Sequence, residues 1–213
     1  MSVAPVTRLV PPPRHHPAPE TLALFAAGTL RPGFDLVVAA HLESCAECRA
    51  ELARFENLGG HLLGEIEPVL LSPGALAATM TRLEIAPPAA RPPHRLDDTL
   101  ARARRRWIAP GVWSARVDTP HRREDRIYLL HVAPGVRTAR HGHSGAEFTQ
   151  VLSGALDDDG VIYRAGDFVE QSDAHVHRPL VHGDAPCLCL FATEGRLVPT
   201  ALVGRIAFAL ANV

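Results

Sequence analysis

The eight residues HLESCAEC, beginning at His41, constrain this chain more than any other stretch. Cys45 and Cys48 have two residues between them, so two thiolates can reach one small cation. His41 lies four residues before Cys45, about one helical turn, so on a helix its imidazole projects toward the same point. The upstream pair His15-His16 offers a fourth donor. Two thiolates and two imidazoles suit a tetrahedral zinc with no open coordination position. Such a site holds structure together and leaves little room for chemistry, so the first third of the chain reads as a binding module. A lone C-x-x-C also serves as a redox pair, and His-His as a solvated dipeptide. The register of His41 with both cysteines is what favours the cation.

Helical spacing surrounds this cluster. Pro19 and Glu20 suit a first turn, Leu22, Leu24 and Phe25 supply apolar surface, and Gly28 suits a C-terminal cap. A second helix is expected over 33–42, with Phe34, Leu36, Val37 and Val38, delivering His41 at its end. A third, over 46–65, carries Leu52, Phe55, Leu58, Leu62 and Leu63 at helical spacings, with Ile66 just beyond. Gly59-Gly60 weakens its middle by about 1 kcal/mol per glycine. A fourth is expected to start with Ser72 as N-cap and Pro73 as its first helical residue, with Leu76, Met80 and Leu83 in a stripe. The run APPAARPPHR, from Ala86 to Arg95, then reads as a semi-stiff linker. The expected division is a helical domain over 1–86, a linker over 87–95 and a second domain over 96–213.

Beyond the linker the spacing changes to short strands. Candidates are Val112–Asp118, Arg126–Val132, Glu147–Ser153, Asp167–Glu170, His177–Val181, Cys187–Ala192 and Ala201–Ala207. Turn signals at Pro134-Gly135, Ser153-Gly154, Asp159-Gly160, Ala165-Gly166 and His182-Gly183-Asp184 recur at intervals that suit a β-sandwich or barrel. Asp157, Asp158 and Asp159 fall in one such turn and read as solvated. His141 and His143 are two apart, so on an extended segment both imidazoles point to one face. With Glu147 and His177 they make a nitrogen–oxygen donor set that suits zinc, iron, manganese or nickel. Cys187 and Cys189 share a strand face, where buried packing and a redox pair are both open readings.

The bulk numbers remove several classes of function. A net charge of −1 gives no global reason to bind nucleic acid, and the basic run Arg102 to Arg106 reads as a solvated face. No apolar run approaches the ~20 residues of a membrane span, and the first residues lack the apolar stretch of a secretory signal. The expected location is the cytoplasm, where four cysteines in two close pairs favour ligands or thiols over disulfides.

The segment from His141 to Gly154 (HGHSGAEFTQVLSG), with Tyr163-Arg164-Ala165-Gly166-Asp167 continuing to His177, resembles the two cupin metal motifs. That resemblance implies a double-stranded β-helix barrel with His141, His143, Glu147 and His177 as ligands. The combination with the front module resembles the ChrR-type anti-sigma factors over nearly the whole chain. It rests on His15-His16, Phe25-Ala26-Ala27-Gly28-Thr29-Leu30, the His41, Cys45 and Cys48 group, the cupin positions, and Cys187-Leu188-Cys189 running to Ala192-Thr193. The family register selects His16 as the fourth zinc ligand.

The resemblance further implies a two-domain protein, an all-α zinc-bound bundle before an all-β cupin barrel. It implies zinc at both sites, with another divalent metal open at the second. The implied partner is a sigma factor of the extracytoplasmic-function class, released on oxidative stress such as singlet oxygen, with Cys187 and Cys189 among the oxidisable groups. The competing reading is a cupin metalloenzyme of the iron dioxygenase kind with a helical regulatory module. Against it, no extra acid–base pair or polar substrate pocket is evident. The chain is therefore expected to be a regulator without catalytic activity.

Overall fold

The computed structural model describes residues 11–84, 103–117, 125–138, 140–172, 176–194 and 197–199. The linker expected over 87–95 and the strand expected over 201–207 lie outside these residues.

Four helices come first: α1 (Pro19–Ala26), α2 (Pro32–Ser44), α3 (Ala46–Gly64) and α4 (Ala75–Glu84). Proline opens both α1 and α2, where its missing N–H has no helical partner to lose. Gly28, at φ +65°, closes α1: its N–H donates to the Phe25 carbonyl, and that of Thr29 to the Leu24 carbonyl, both at 3.0 Å. Those two bonds satisfy carbonyls that the helix end leaves open. Only Cys45 separates α2 from α3; its extended backbone, at φ −103° and ψ 106°, breaks the helix and turns the chain. The Cys45 sulfur then caps α3 by accepting from the Cys48 N–H at 3.4 Å. α3 passes unbroken through Gly59-Gly60. The start expected for the fourth helix is corrected: Gly74 sits at φ +84°, outside helical backbone, so Ser72-Pro73 belongs to a turn and α4 begins at Ala75.

The remainder is antiparallel β-structure. Its strands are β1 (Arg105–Ala109), β2 (Val112–Arg116), β3 (Asp125–Val132), β4 (His141–His143), β5 (Glu147–Ser153), β6 (Ala155–Asp158), β7 (Val161–Arg164), β8 (Phe168–Gln171), β9 (Val176–His177), β10 (Leu180–Val181), β11 (Cys187–Glu194) and β12 (Leu197–Pro199). They pair into a six-stranded sheet ordered β1-β2-β3-β11-β5-β8 and two three-stranded sheets, β10-β6-β7 and β12-β4-β9. Two readings change, while the basic run stays exposed as expected: Arg105 and Arg106 open edge strand β1, and the Arg105 guanidinium lies 4.8 Å from the Trp113 ring centre. The strand expected over 177–181 is two short ones, interrupted at Arg178-Pro179. Asp157 and Asp158 belong to β6, with the turn confined to Asp159-Gly160.

β5 explains how the parts meet. Its first five residues, Glu147 to Val151, are all buried, so both faces of the strand are covered. On one face Val151 packs with Val132, Leu156, Val181, Cys187 and Cys189 inside the barrel. On the other, Phe148 joins Phe168, Leu190, Ile127 and Leu129 in a single cluster with Leu22, Phe34, Val37 and Val38 of the helices. Phe34 meets Phe148 edge to face at 4.5 Å. α2 thus lies on the outer face of the sheet, and Leu22 and Val37 are buried within the molecule. Each such side chain contributes about 1.5–3 kcal/mol on burial.

Candidate metal centre and exposed helical surface

His16, His41, Cys45 and Cys48 converge, with one donor atom from each lying within 4.8 Å of all the others. Nδ1 of His16 is 3.4 Å from the sulfurs of both Cys45 and Cys48. A tetrahedral zinc with ordinary bond lengths sets sulfur–nitrogen edges of about 3.5 Å, so the spacing fits. His41 is fully buried, and its Nε2 has no hydrogen-bond partner among the described residues. Its other nitrogen, Nδ1, lies 3.0 Å from Oε1 of Gln150. Because an amide oxygen only accepts, the proton sits on Nδ1 and the Nε2 lone pair is left for a cation. Burial holds His41 below the usual imidazole range, against the opposing pull of the Gln150 bond. Burial and the neighbouring Cys45 push the Cys48 thiol up to about 12, so a cation entering here would displace a proton.

The structure separates the two adjacent histidines. His15 turns away from the cysteines toward Tyr163, at 4.5 Å between ring centres, and its Nδ1 is 3.3 Å from Asp167. The segment around it is strapped to the barrel. Oδ1 of Asp167 accepts from the backbone N–H of Arg14 at 2.7 Å and of His15 at 3.2 Å, while Oδ2 accepts from Arg164 at 2.7 Å. The Phe168 N–H donates to the His15 carbonyl at 3.0 Å, and Glu170 accepts from the Ala18 N–H at 2.9 Å. Gly166, at φ +98°, forms the turn on which Pro13 rests. His16 therefore reaches the cysteines from a segment that the barrel holds.

Inside the barrel, β4 and β9 pair His141 with His177, whose Nε2 atoms are 3.2 Å apart. Nδ1 of His177 is 2.7 Å from Asp158, which also accepts from Gln171 at 2.7 Å. Asp158 is buried, which corrects the reading of the aspartate run as wholly solvated. Glu147 is buried on β5; burial and the nearby Asp158 charge push its carboxyl up to about 8, opposed by a hydrogen bond from the Tyr128 hydroxyl. A cation beside that carboxyl would reverse the shift. The backbone places His143 opposite Leu197, while its side chain lies outside the described residues. Among the described residues, the front quartet is the one group of three or more such donors drawn this close. Cys187 and Cys189 are buried with their sulfurs 3.6 Å apart. The Cys187 contact, followed by burial, raises the Cys189 thiol well above its ordinary value.

A different surface begins midway along α3. From Glu56 to the end of that helix every residue is exposed, as are all but Ala75 from there to Leu83. This stretch includes Leu58, Leu62, Leu63, Ile66, Val69, Leu70, Leu71, Leu76, Met80 and Leu83, with Leu70 98% exposed. Single exposed leucines are ordinary, whereas a run of this size marks an interaction surface. Among the described residues, no helix is long and apolar enough to cross a membrane.

Together these features define a cupin-type barrel carrying a helical histidine–cysteine module. Residues 99–196 match the family model described as the ChrR Cupin-like domain. The chain is 38% identical over 195 residues to the anti-sigma-E factor ChrR of Cereibacter sphaeroides, covering 86% of this chain and 91% of that protein. It also matches a chain in the crystal structure of Rhodobacter sphaeroides SigE in complex with the anti-sigma ChrR. That match has a TM-score of 0.74 and 37% identity, and covers 85% of this chain and 99% of the other. The chain belongs to the ChrR family of anti-sigma factors. The resemblance drawn from the sequence motifs is borne out, and the match along both chains is to a regulator rather than an enzyme.

Proposed function

We propose that this chain is a zinc-dependent anti-sigma factor that sequesters a sigma factor of the extracytoplasmic-function class in the cytoplasm. The observation that carries the reading is the exposed apolar surface of α3 and α4, directly downstream of the histidine–cysteine quartet in a ChrR relative. Burying Leu62, Leu63, Leu76 and Met80 against a partner would contribute about 1.5–3 kcal/mol each. His16, His41, Cys45 and Cys48 would hold zinc, which supplies structural cross-linking of the strap, α2 and α3. In a helical module this small, such a bond is a large share of the folding energy. The direction in which α3 leaves Cys48 then depends on the cation.

His141, His143, Glu147 and His177 would hold zinc or another divalent metal in the barrel, with Asp158 orienting His177 through Nδ1. The barrel serves as the sensing half, and its oxidisable groups are the histidines, Cys187 and Cys189. Oxidative stress of the singlet-oxygen kind would release the sigma factor. Co-expression with candidate sigma factors, followed by metal analysis of the purified complex, tests the assignment. Wild type should co-purify with one sigma factor and two metal ions per chain. The Cys45→Ser, Cys48→Ser variant should lose one metal and the partner; unchanged partner retention in that variant refutes the zinc clamp.

A further inference from the structure

We infer that Gln150, a residue of the barrel, is a positioning residue for the front metal centre: it fixes the tautomer and orientation of His41, so the centre is built jointly by both halves of the chain. The inference deepens the zinc-dependent reading above and rests on it. Gln150 is 2% exposed and lies on the helix-facing side of β5. Its cross-strand neighbours are Leu190 on β11 and Phe168 on β8, both essentially inaccessible to solvent. A polar amide in that apolar setting carries a desolvation penalty unless it is hydrogen-bonded. Among the described residues its oxygen has one polar group to serve, the Nδ1 of His41 at 3.0 Å, and its NH2 reaches the Val151 carbonyl at 3.2 Å. The Phe168 ring also meets the His41 ring edge to face at 5.5 Å, so imidazole rotation is opposed from a second side.

The two imidazoles of the quartet are consequently held in opposite ways. His16 offers Nδ1 to the cysteines, and its Nε2 is 3.6 Å from Glu47, whose side chain is 80% exposed. His41 offers Nε2, with its Nδ1 proton locked in a dry pocket by a strand of the barrel. The His16 support is exchangeable with water; the His41 support is not. Removing a hydrogen-bond partner of a metal-bound histidine weakens metal affinity by about 10–100-fold.

The test uses the full chain loaded with zinc or with cobalt as its spectroscopic substitute. Zinc release to a chelator and the cobalt absorption bands are recorded for wild type, Gln150→Leu, Gln150→Glu and Leu190→Ala. Gln150→Leu should release front-site zinc about 10–100-fold faster and shift the cobalt bands. Gln150→Glu retains an acceptor for the Nδ1 proton and should hold zinc at least as tightly as wild type. Leu190→Ala damages the same interface without touching the bond and should leave the cobalt bands in place. Wild-type release from Gln150→Leu overturns the inference, as does an equal band shift in Leu190→Ala. If Gln150→Leu fails to fold, the inference stands or falls on Gln150→Glu, where faster release overturns it. A wild-type chain whose quartet binds neither metal overturns this inference and the zinc-dependent reading together.

Discussion

α2 and α4 both carry large apolar side chains, yet they have opposite fates. α2 turns Phe34, Val37 and Val38 onto the barrel and is largely buried. α4 presents Leu76, Met80 and Leu83 to solvent on a helix whose exposed residues run round every face. α2 is the more apolar of the two, but the exposed leucines and methionine of α4 would also gain from burial, so the contrast depends as well on what each can reach. α2 has the outer face of the six-stranded sheet beneath it. α4 follows an exposed stretch from Glu65 to Gly74 that leads it away from that sheet. Short helices without tertiary packing are marginal in water. The pair teaches that one helix joins the two halves of the molecule, while the other is exposed where the proposed partner would bind.

That comparison breaks most sharply at Leu76 and Met80. The double variant Leu76→Asp, Met80→Asp should lose about 3–4 kcal/mol of sigma-factor affinity, a few-hundred-fold in Kd, with metal content and circular dichroism unchanged. An unchanged Kd by calorimetry would mean that the exposed surface is not where the partner binds. The next effect separates the two proposed metal centres. Asp158→Ala removes the acceptor on His177 and should weaken barrel metal retention about 10–100-fold in chelator competition, leaving front-site zinc intact.

The strap gives a smaller effect. Asp167→Ala strands the N–H groups of Arg14, His15 and Arg164 and should cost about 2 kcal/mol, read as a lowered Tm. The smallest effect is its acid dependence. Burial raises the Asp167 carboxyl, but the N–H donors of Arg164, Arg14 and His15, with the His15 ring, outweigh that and leave it below the usual carboxylate range. A group depressed in the folded state stabilises above its unfolded value of about 3.9 and loses that contribution as pH falls through its lower folded value. Hydrogen-exchange protection of the strap in zinc-free protein, measured against the intrinsic rate at each pH, should therefore fall below about pH 4 and lose this step in Asp167→Asn.

Much of this was legible in the residues. The spacing of His41, Cys45 and Cys48 identified the quartet's main donors because metal ligation demands donors at fixed separations, and a helix ending at Cys45 meets that demand. The barrel strands around Glu147 and Cys187 followed from their apolar runs and flanking glycines. Two features were hidden because they depend on contacts distant in sequence. Asp158 sits in a D-D-D-G run that carries turn chemistry, yet β6 pairs with both β7 and β10 and brings it under His177. Gln150 looked like one residue of a barrel strand, since nothing local says that α2 covers that face. The start of α4 was misread because Ser72-Pro73 is a good helix opening; Gly74 overrides it by adopting backbone that helices exclude.

The central claim is that a cation held by His16, His41, Cys45 and Cys48 sets the helical surface that grips the sigma factor. It is tested most directly by titrating the full chain with its sigma factor before and after front-site zinc is removed, and again after zinc is restored. The account predicts at least about a hundredfold weaker Kd without zinc and full recovery with it. The same Kd in all three states would contradict it.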